Sequence, residues 1–162
     1  MGYKDLHDSP FDDTTKAKLE IFEDYAKAWI PTFIMQGHIN EIHIFDFFAG
    51  TGYDQNGIPG SPIRILKKIQ EQKGLLFSRQ VKAVVHLNEF EPNKRHQQKF
   101  KQLKESCSNF LKSDKSLANK LDIKFYNTDF EQLFPELFPL IKKYPSLVYL
   151  DQNGIKFLSA KY

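Results

Sequence analysis

The chain has little cysteine: Cys107 is the one thiol among 162 residues. One thiol excludes an intrachain disulfide and any zinc site that is built on several cysteines. We interpret it as a thiol without chemistry, which suits the reducing conditions of the cytoplasm. Residues 1–10 lack the apolar core of a signal peptide, and no apolar run approaches the about 20 residues that a membrane helix needs. The sequence therefore predicts a cytoplasmic protein that does not span a membrane.

Several catalytic and phosphate-binding patterns are also absent. The loop at residues 49–62 lacks the Gly-Lys-Ser/Thr of a phosphate-binding loop, and Gln55 stands where the dinucleotide pattern G-x-G-x-x-G needs its third glycine. No Ser/His/Asp constellation is visible. The histidines show no metal-ligand spacing such as H-E-x-x-H, so no metal site is predicted. His43 and His86 fall in predicted strands, where we expect them to be packed or hydrogen-bonded.

Charge of one sign is not in large excess. The net charge is +3, from 23 basic and 20 acidic residues that are interspersed along the chain. This balance allows nucleic-acid binding but does not indicate it. The apolar content is ample, because 41% of the residues are hydrophobic and 15 of them are phenylalanines. We expect one globular domain with a sizeable core.

The hydrophobic pattern predicts strands that alternate with helices. We interpret residues 1–13 as a flexible arm and residues 14–162 as one domain. The predicted strands cover residues 41–48, 81–87, 121–126 and 147–150. The predicted helices cover residues 14–30 with Asp13 or Thr14 as the cap and Pro31 at the end, 63–72 ended by Gly74, 92–108, and 130–144 broken by two prolines. This alternation is typical of an α/β fold with a parallel sheet.

Polar features follow all four predicted strands, at the edge where parallel sheets bind ligands. After the first strand, Gly50 and Gly52 allow a tight turn and a close approach of the backbone to a ligand. Asp46 lies on that strand, where a carboxylate is costly unless it is paired. It can hold the loop amides or, through a water molecule, an amino group of a ligand. The alternative is a glycine-rich turn that binds nothing.

Carboxylates stand at the other strand ends. Glu89 suits two ribose hydroxyls, because a carboxylate has two acceptor oxygens, whereas Glu91 fits the start of the following helix. Asp129 can accept a hydrogen bond from an adenine amino group, with Phe130 beside the ring, or it can cap a helix, or both. Asp151 lies where a transferable group would be presented. The Asn153-Gly154 pair after it equally indicates a tight turn.

Together these segments resemble the three-Cys-motif partner family (TcmP), whose bacterial members are similar to S-adenosylmethionine (SAM)-dependent methyltransferases. The resemblance covers residues 14–154. It rests on a helix with Thr15, Lys16, Lys18 and Trp29, on the loop FDFFAGTGYDQNGIPGSP, and on LNEFEPNKR and VYLDQNG. It implies a Rossmann-like SAM-methyltransferase sheet. It also implies a cysteine-motif partner protein, through gene neighbourhood.

The resemblance also implies a cofactor site. SAM would lie near Asp46, Ala49, Gly50 and Gly52, with the ribose at Glu89 and the adenine near Asp129. We include Phe48 of the same loop and Phe130 among the candidate cofactor-binding residues. The first helix could lie over this cleft, although its lysines equally form the basic edge of an amphipathic helix.

The sequence departs from the family pattern in three ways. Thr51 stands where many relatives have proline. Gln152 follows Asp151 where relatives have Asp-Pro-Phe, which weakens Asp151 as the catalytic candidate. The sheet is apparently truncated after its fourth strand, and an exposed edge strand invites a homo-oligomer or a partner.

Two functions follow as hypotheses. The first is methyl transfer from SAM to an unidentified acceptor, which needs mainly the positioning of the reactants. The second is a catalytically inactive nucleotide-binding or partner-binding module that acts with a cysteine-motif protein in a defence or mobile-element system. The basic residues between Asn93 and Lys104 allow a third, nucleic-acid binding, but they fit a solvated helix face better.

Overall fold

A computed structural model describes residues 9–93, 95 and 97–151 of the chain. It has an α/β fold with four strands: β1 (Glu41–Asp46), β2 (Lys82–Asn88), β3 (Leu121–Tyr126) and β4 (Ser146–Tyr149). The strand order is β3-β2-β1-β4, and every neighbouring pair is parallel. This is a Rossmann-like arrangement. The direction of winding reverses between β1 and β4, which is the switch point where such sheets bind ligands.

Helices cover both faces of the sheet. Helices α1 (Asp13–Ile34), α2 (Ser61–Glu71), α3 (Lys73–Arg79) and α4 (Gln98–Ser113) pack on one face, and α5 (Phe130–Lys143) packs on the other. Strand side chains alternate between faces, so Ile42 and Ile44 join the first core, whereas Phe45 and Phe47 join the second. No helix in the described residues is long and apolar enough to cross a membrane.

The sequence predicted that prolines would end or break two helices, but both helices continue through their prolines. Helix α1 continues through Pro31 to Ile34, because buried Ile30 and Ile34 hold its last turn against the sheet. Helix α5 is unbroken although it contains Pro135 and Pro139. Both are exposed, so the carbonyls that lose a partner can be hydrated and the helix can bend toward its packed side.

Two predicted boundaries were wrong because side-chain carboxylates accept nearby backbone N–H groups and turn the chain. β1 ends at Asp46 rather than Phe48, since the Asp46 carboxylate accepts the Phe48 N–H and turns the chain. Helix α4 begins at Gln98 rather than at residue 92. The Glu91 carboxylate accepts the Phe100 N–H in the first turn of α4 (2.7 Å), so Glu91 must lie outside the helix.

The cap of α1 and the end of α2 also differ from the prediction. Asp12 caps α1 by accepting the Thr15 N–H at 2.7 Å. Gly74 lies inside α3 and does not end α2, because the chain already leaves the helical conformation at Gln72. β3 has the predicted bounds, and β2 and β4 are each displaced by one residue.

Candidate functional site

Asp46 joins the end of β1 to the start of α2. Its side chain is 1% exposed. Oδ1 accepts the Phe48 N–H at 3.2 Å, and Oδ2 accepts the Ser61 hydroxyl at 2.5 Å. Ser61 is the first residue of α2, so this carboxylate fixes both ends of the loop between them. The sequence interpretation missed Ser61.

The Asp46 carboxylate is strongly desolvated. Burial raises its pKa to about 7, against the opposing hydrogen bonds from Ser61 and Phe48, and the charge of Asp151 raises it further. A buried anion with another carboxylate nearby is favourable only beside a cation or further donors. The position therefore suits a ligand that carries positive charge.

Gly50 and Glu89 are hydrogen-bonded to each other. Gly50 has φ of +70°, a left-handed conformation that other residues rarely adopt. Its N–H donates to Glu89 Oε2 at 2.7 Å, and the Ala49 N–H donates to the Asn88 carbonyl at 2.9 Å. These bonds hold the loop against the carboxyl end of β2. Burial raises the pKa of Glu89 to about 7, with Asp46 and Glu91 adding and the Gly50 bond opposing.

Gly52 allows the loop to contact α4. Its φ is +97°, and an added Cβ would lie 2.8 Å from Ser106 Cβ, which is a clash. The Ser106 hydroxyl donates to the Thr51 carbonyl at 3.0 Å, and the Gly60 N–H donates to the Gly52 carbonyl at 2.8 Å. Gly52 thus serves close packing between the loop and α4.

Asn88 connects three strand ends. Its amide nitrogen donates to the carbonyls of Phe47 (3.1 Å) and Thr128 (3.0 Å), and its oxygen accepts the Thr128 N–H at 3.1 Å. This buried residue therefore holds the segments after β1 and β3 against the end of β2. The sequence interpretation gave it no role, although a polar amide at the end of an apolar strand could have indicated one.

Asp129 and Phe130 begin α5. Asp129 is its N-cap and accepts the Glu131 N–H at 2.9 Å, which is one of the two roles considered for it. Phe130 is 4% exposed and packs on Phe47 and Phe48, with ring centroids 5.2 and 5.5 Å away. Phe48 is only half-buried, so it is the more accessible ring at this edge.

Asp151 follows β4 at the same edge of the sheet. Its Oδ1 is buried and accepts no hydrogen bond from the described residues. Lys18 Nζ of α1 lies 3.7 Å from that oxygen, which is an ion-pair distance but too long for a hydrogen bond. The charge of Asp151 also reaches Asp46 and Tyr149. Gln152 and the predicted Asn153-Gly154 turn lie outside the described residues.

Asp54 organises the rest of the glycine-rich loop. Its carboxylate accepts the N–H groups of Phe11, Asn56 and Ile58 at 2.8–2.9 Å. Burial acts to raise its pKa, but these donors outweigh burial and the pKa is lowered. Phe11 belongs to the segment that we predicted as a flexible arm, and its ring is buried.

A second buried polar group crosses the sheet below this edge. His43 Nε2 lies 3.0 Å from Glu41, His43 Nδ1 lies 2.9 Å from His86 Nε2, and His86 Nδ1 lies 2.9 Å from the Tyr126 hydroxyl. We call these four residues the histidine chain. The prediction that His43 and His86 are packed or hydrogen-bonded is confirmed, because both are buried and both are hydrogen-bonded.

Neither histidine nor cysteine forms a candidate metal centre in this part of the chain. The described residues contain no group of three or more His, Cys, Asp or Glu that could hold a metal ion. Cys107 is buried, and burial raises the pKa of its thiol to about 12. His7, Lys94 and His96 lie outside the described residues.

Comparison with known proteins adds no assignment, since no family model, curated protein or solved structure matches the chain.

Proposed function

We propose that this chain is a SAM-binding, methyltransferase-like protein. The observation that carries the proposal is the hydrogen bond between the Gly50 N–H and Glu89, at the carboxyl edge of a parallel sheet and on the β2 side of its switch point. It fixes a glycine loop at the end of β1 beside an acidic residue at the end of β2. That combination is the general arrangement by which such folds bind the ribose of a nucleotide cofactor.

The charges at this edge support a cationic ligand. Asp46, Glu89 and Asp151 interact electrostatically, and SAM carries an ammonium and a sulfonium group. The buried Oδ1 of Asp151 lacks a donor, and an amino group of a ligand would provide one. Bound positive charge would also lower the pKa of Asp46 and Glu89 from about 7 and keep both ionised.

Glu89 can hold a ribose without releasing the loop. Oε2 accepts the Gly50 N–H, and a carboxylate has a second oxygen that can accept a hydroxyl. Half-buried Phe48 offers an apolar surface for a base, whereas Phe130 supports it from below. Asp129 Oδ1 accepts the Glu131 N–H as the cap of α5. The proposed hydrogen bond from the adenine amino group would therefore go to its other carboxylate oxygen.

The resemblance to the three-Cys-motif partner family belongs to the same proposal. If membership holds, a cysteine-motif protein is the expected partner and SAM is the expected cofactor. Bound SAM would supply the methyl group, and the residues of this chain would orient the cofactor and exclude water.

One observation favours a second candidate function. Lys18 of α1 lies beside Asp151, at the position where an acceptor would be presented. A lysine that compensates this carboxylate suits a catalytically inactive module that binds a nucleotide or a partner. The two candidates differ in whether methyl transfer occurs. The methyltransferase binds SAM at Glu89, whereas the inactive module binds a nucleotide at Glu89 or a partner protein at this edge.

Calorimetric titration with S-adenosylhomocysteine tests the cofactor site. We expect binding in about the micromolar range, and we expect Gly50→Val to weaken it by about tenfold or more. Gly57→Val is the matched control, because Gly57 has a similar φ of +75° and nothing within 4 Å of an added Cβ. The Gly57→Val variant has the same backbone strain but should bind S-adenosylhomocysteine like the wild type.

Absence of heat and of a thermal shift in a folded sample would remove the cofactor claim and leave the partner-binding module. Equal loss of affinity in the Gly50 and Gly57 variants would show that backbone strain, rather than loop contact, reduces binding.

A further inference from the structure

The outer edge of β3 presents unpaired backbone groups. Within the described residues β3 pairs with β2 alone. The Lys120 carbonyl accepts the Ala83 N–H of β2 at 2.8 Å, and the Tyr126 carbonyl accepts the N–H of Glu89, which follows β2, at 3.1 Å. Because backbone groups alternate in direction along a strand, even-numbered residues bond to β2. The N–H and C=O groups that point away from the sheet therefore belong to Leu121, Ile123 and Phe125.

A groove of about 420 Å³ runs between this edge and α4. Its apolar surface includes the side chains of Leu111, Ile123 and Phe125, which are only partly buried against the core. Side chains that point to the same face lie two residues apart along a strand. An extended segment beside β3 would therefore place alternate side chains in this groove.

Basic side chains surround the groove. Lys104, Lys112 and Lys115 line it, and no ion pair within the described residues involves them. Asp122 also lines it, but Lys82 and Lys124 lie 3.9 and 3.7 Å from its carboxylate and offset its charge. The groove is thus apolar at its centre and positively charged at its rim.

We propose that this groove binds an extended acidic segment of a partner protein, which adds a strand to β3. Such a segment would satisfy the outward backbone groups, bury apolar side chains against Ile123 and Phe125, and place carboxylates near the lysines. A second copy of this chain is the less favourable occupant, because Asp122 on its own β3 is already offset by Lys82 and Lys124 and so offers no acidic segment to the lysines of the groove. A nucleic acid would use the lysines but not the strand-spaced amides or the apolar floor.

The probe is a blocked synthetic peptide with three central valines between pairs of glutamates, titrated into the full chain and followed by amide NMR. We expect saturable shifts at Leu121, Ile123 and Phe125. Ile123→Pro should weaken binding by about tenfold or more, because it removes an outward donor and crowds the edge. Its N–H is not used by β2, so the sheet should persist. Ile123→Val, which keeps the N–H, should bind like the wild type.

Charge is tested separately on the same protein. The double variant Lys112→Gln/Lys115→Gln should weaken peptide binding about fivefold, as should 0.5 M salt, whereas the exposed Lys67→Gln control should not. A glutamine-for-glutamate peptide should bind as weakly as the double variant. The proposal is overturned if the peptide shifts no amide resonances of β3, or if Ile123→Pro leaves the affinity for the peptide unchanged. It is also overturned if an oligothymidine shifts the amide resonances of the groove lysines while the peptide does not.

Discussion

Two buried polar groups lie in the same sheet and differ in how they are satisfied. In the histidine chain, both imidazoles have lowered pKa values because they are buried. They are therefore neutral, and each can donate once and accept once. At the carboxyl edge, burial instead raises the pKa of Asp46 and Glu89 to about 7. These carboxylates retain acceptor capacity and unbalanced charge.

The proton positions along the histidine chain follow from its ends. The Glu41 carboxylate can only accept, so His43 donates from Nε2. His43 Nδ1 then accepts from His86 Nε2–H, and His86 Nδ1 accepts the Tyr126 hydroxyl proton. Every link has one proton and one acceptor. In the histidine chain every polar group has a partner, whereas the carboxyl edge keeps buried charge without full compensation, which is why we propose the ligand site at that edge.

The largest expected effect comes from breaking the histidine chain at its centre. His86→Leu leaves His43 Nδ1 and the Tyr126 hydroxyl each without a partner, while His43 Nε2 keeps Glu41, so we expect a loss of about 3 kcal/mol in the free energy of unfolding. Urea denaturation at pH 7.5 measures this change. Binding of S-adenosylhomocysteine to the folded variant should be unchanged, and a loss of affinity beyond the unfolded fraction would contradict the division between the two groups.

The same variant changes the response to acid. Burial, the repulsion from His43 when both rings carry a proton, and then Lys124 lower the pKa of His86 to about 3 from 6.5. Between these two pH values His86 is protonated in the unfolded chain but neutral in the folded chain. The free energy of unfolding therefore decreases as pH falls from 6.5 toward 3. In His86→Leu this part of the acid sensitivity should disappear. A wild-type slope retained in the variant would assign the acid response to other groups.

At the carboxyl edge, Asp46 should make stability depend on pH in the opposite direction, and Asp46→Asn tests this. The folded pKa of about 7 exceeds the usual 3.8, so the contribution of Asp46 is fully present below 3.8 and is lost as pH rises through 7. The variant should gain about 2 kcal/mol over the wild type at pH 8 and little at pH 4. Thermal unfolding at both values checks this. Cofactor affinity should fall although the protein is more stable.

The smallest expected effect is at the end of the histidine chain. Tyr126→Phe removes one donor to His86 Nδ1 and keeps the ring, so we expect a loss of about 1 kcal/mol in urea denaturation. His86 Nδ1 then lacks a donor, whereas Glu41 still fixes the protons on His43 Nε2 and His86 Nε2. A loss as large as that of His86→Leu would mean that the links act as one cooperative unit.

The strands were predictable because each is short, is rich in apolar residues (alternating with polar ones in β3) and lies between polar segments. β3 was predicted with its observed bounds, and the glycine loop was predicted to lie at the end of β1. The start of α4 was not predictable, because it depends on a bond from Glu91 to Phe100 across a non-helical segment. The continuous α5 was missed because packing of Leu133 and Leu137 outweighs two prolines.

The candidate site was predictable as a set of residues but not as a set of contacts. Gly50 and Glu89 lie 39 positions apart, and only the sheet brings them together. The partners that organise the edge were missed for the same reason. Asn88 contacts residues about 40 positions away on either side, and Ser61 contacts Asp46 across the whole loop.

The contact between Phe11 and Asp54 has a practical consequence for recombinant expression. A shortened version of the protein that starts at residue 14 would lose the Phe11 ring and its N–H donor to Asp54. It would also lose Asp12, the residue that caps α1. An expression boundary placed upstream of residue 9, with any affinity tag before it, keeps both contacts and therefore keeps the glycine loop in its described conformation.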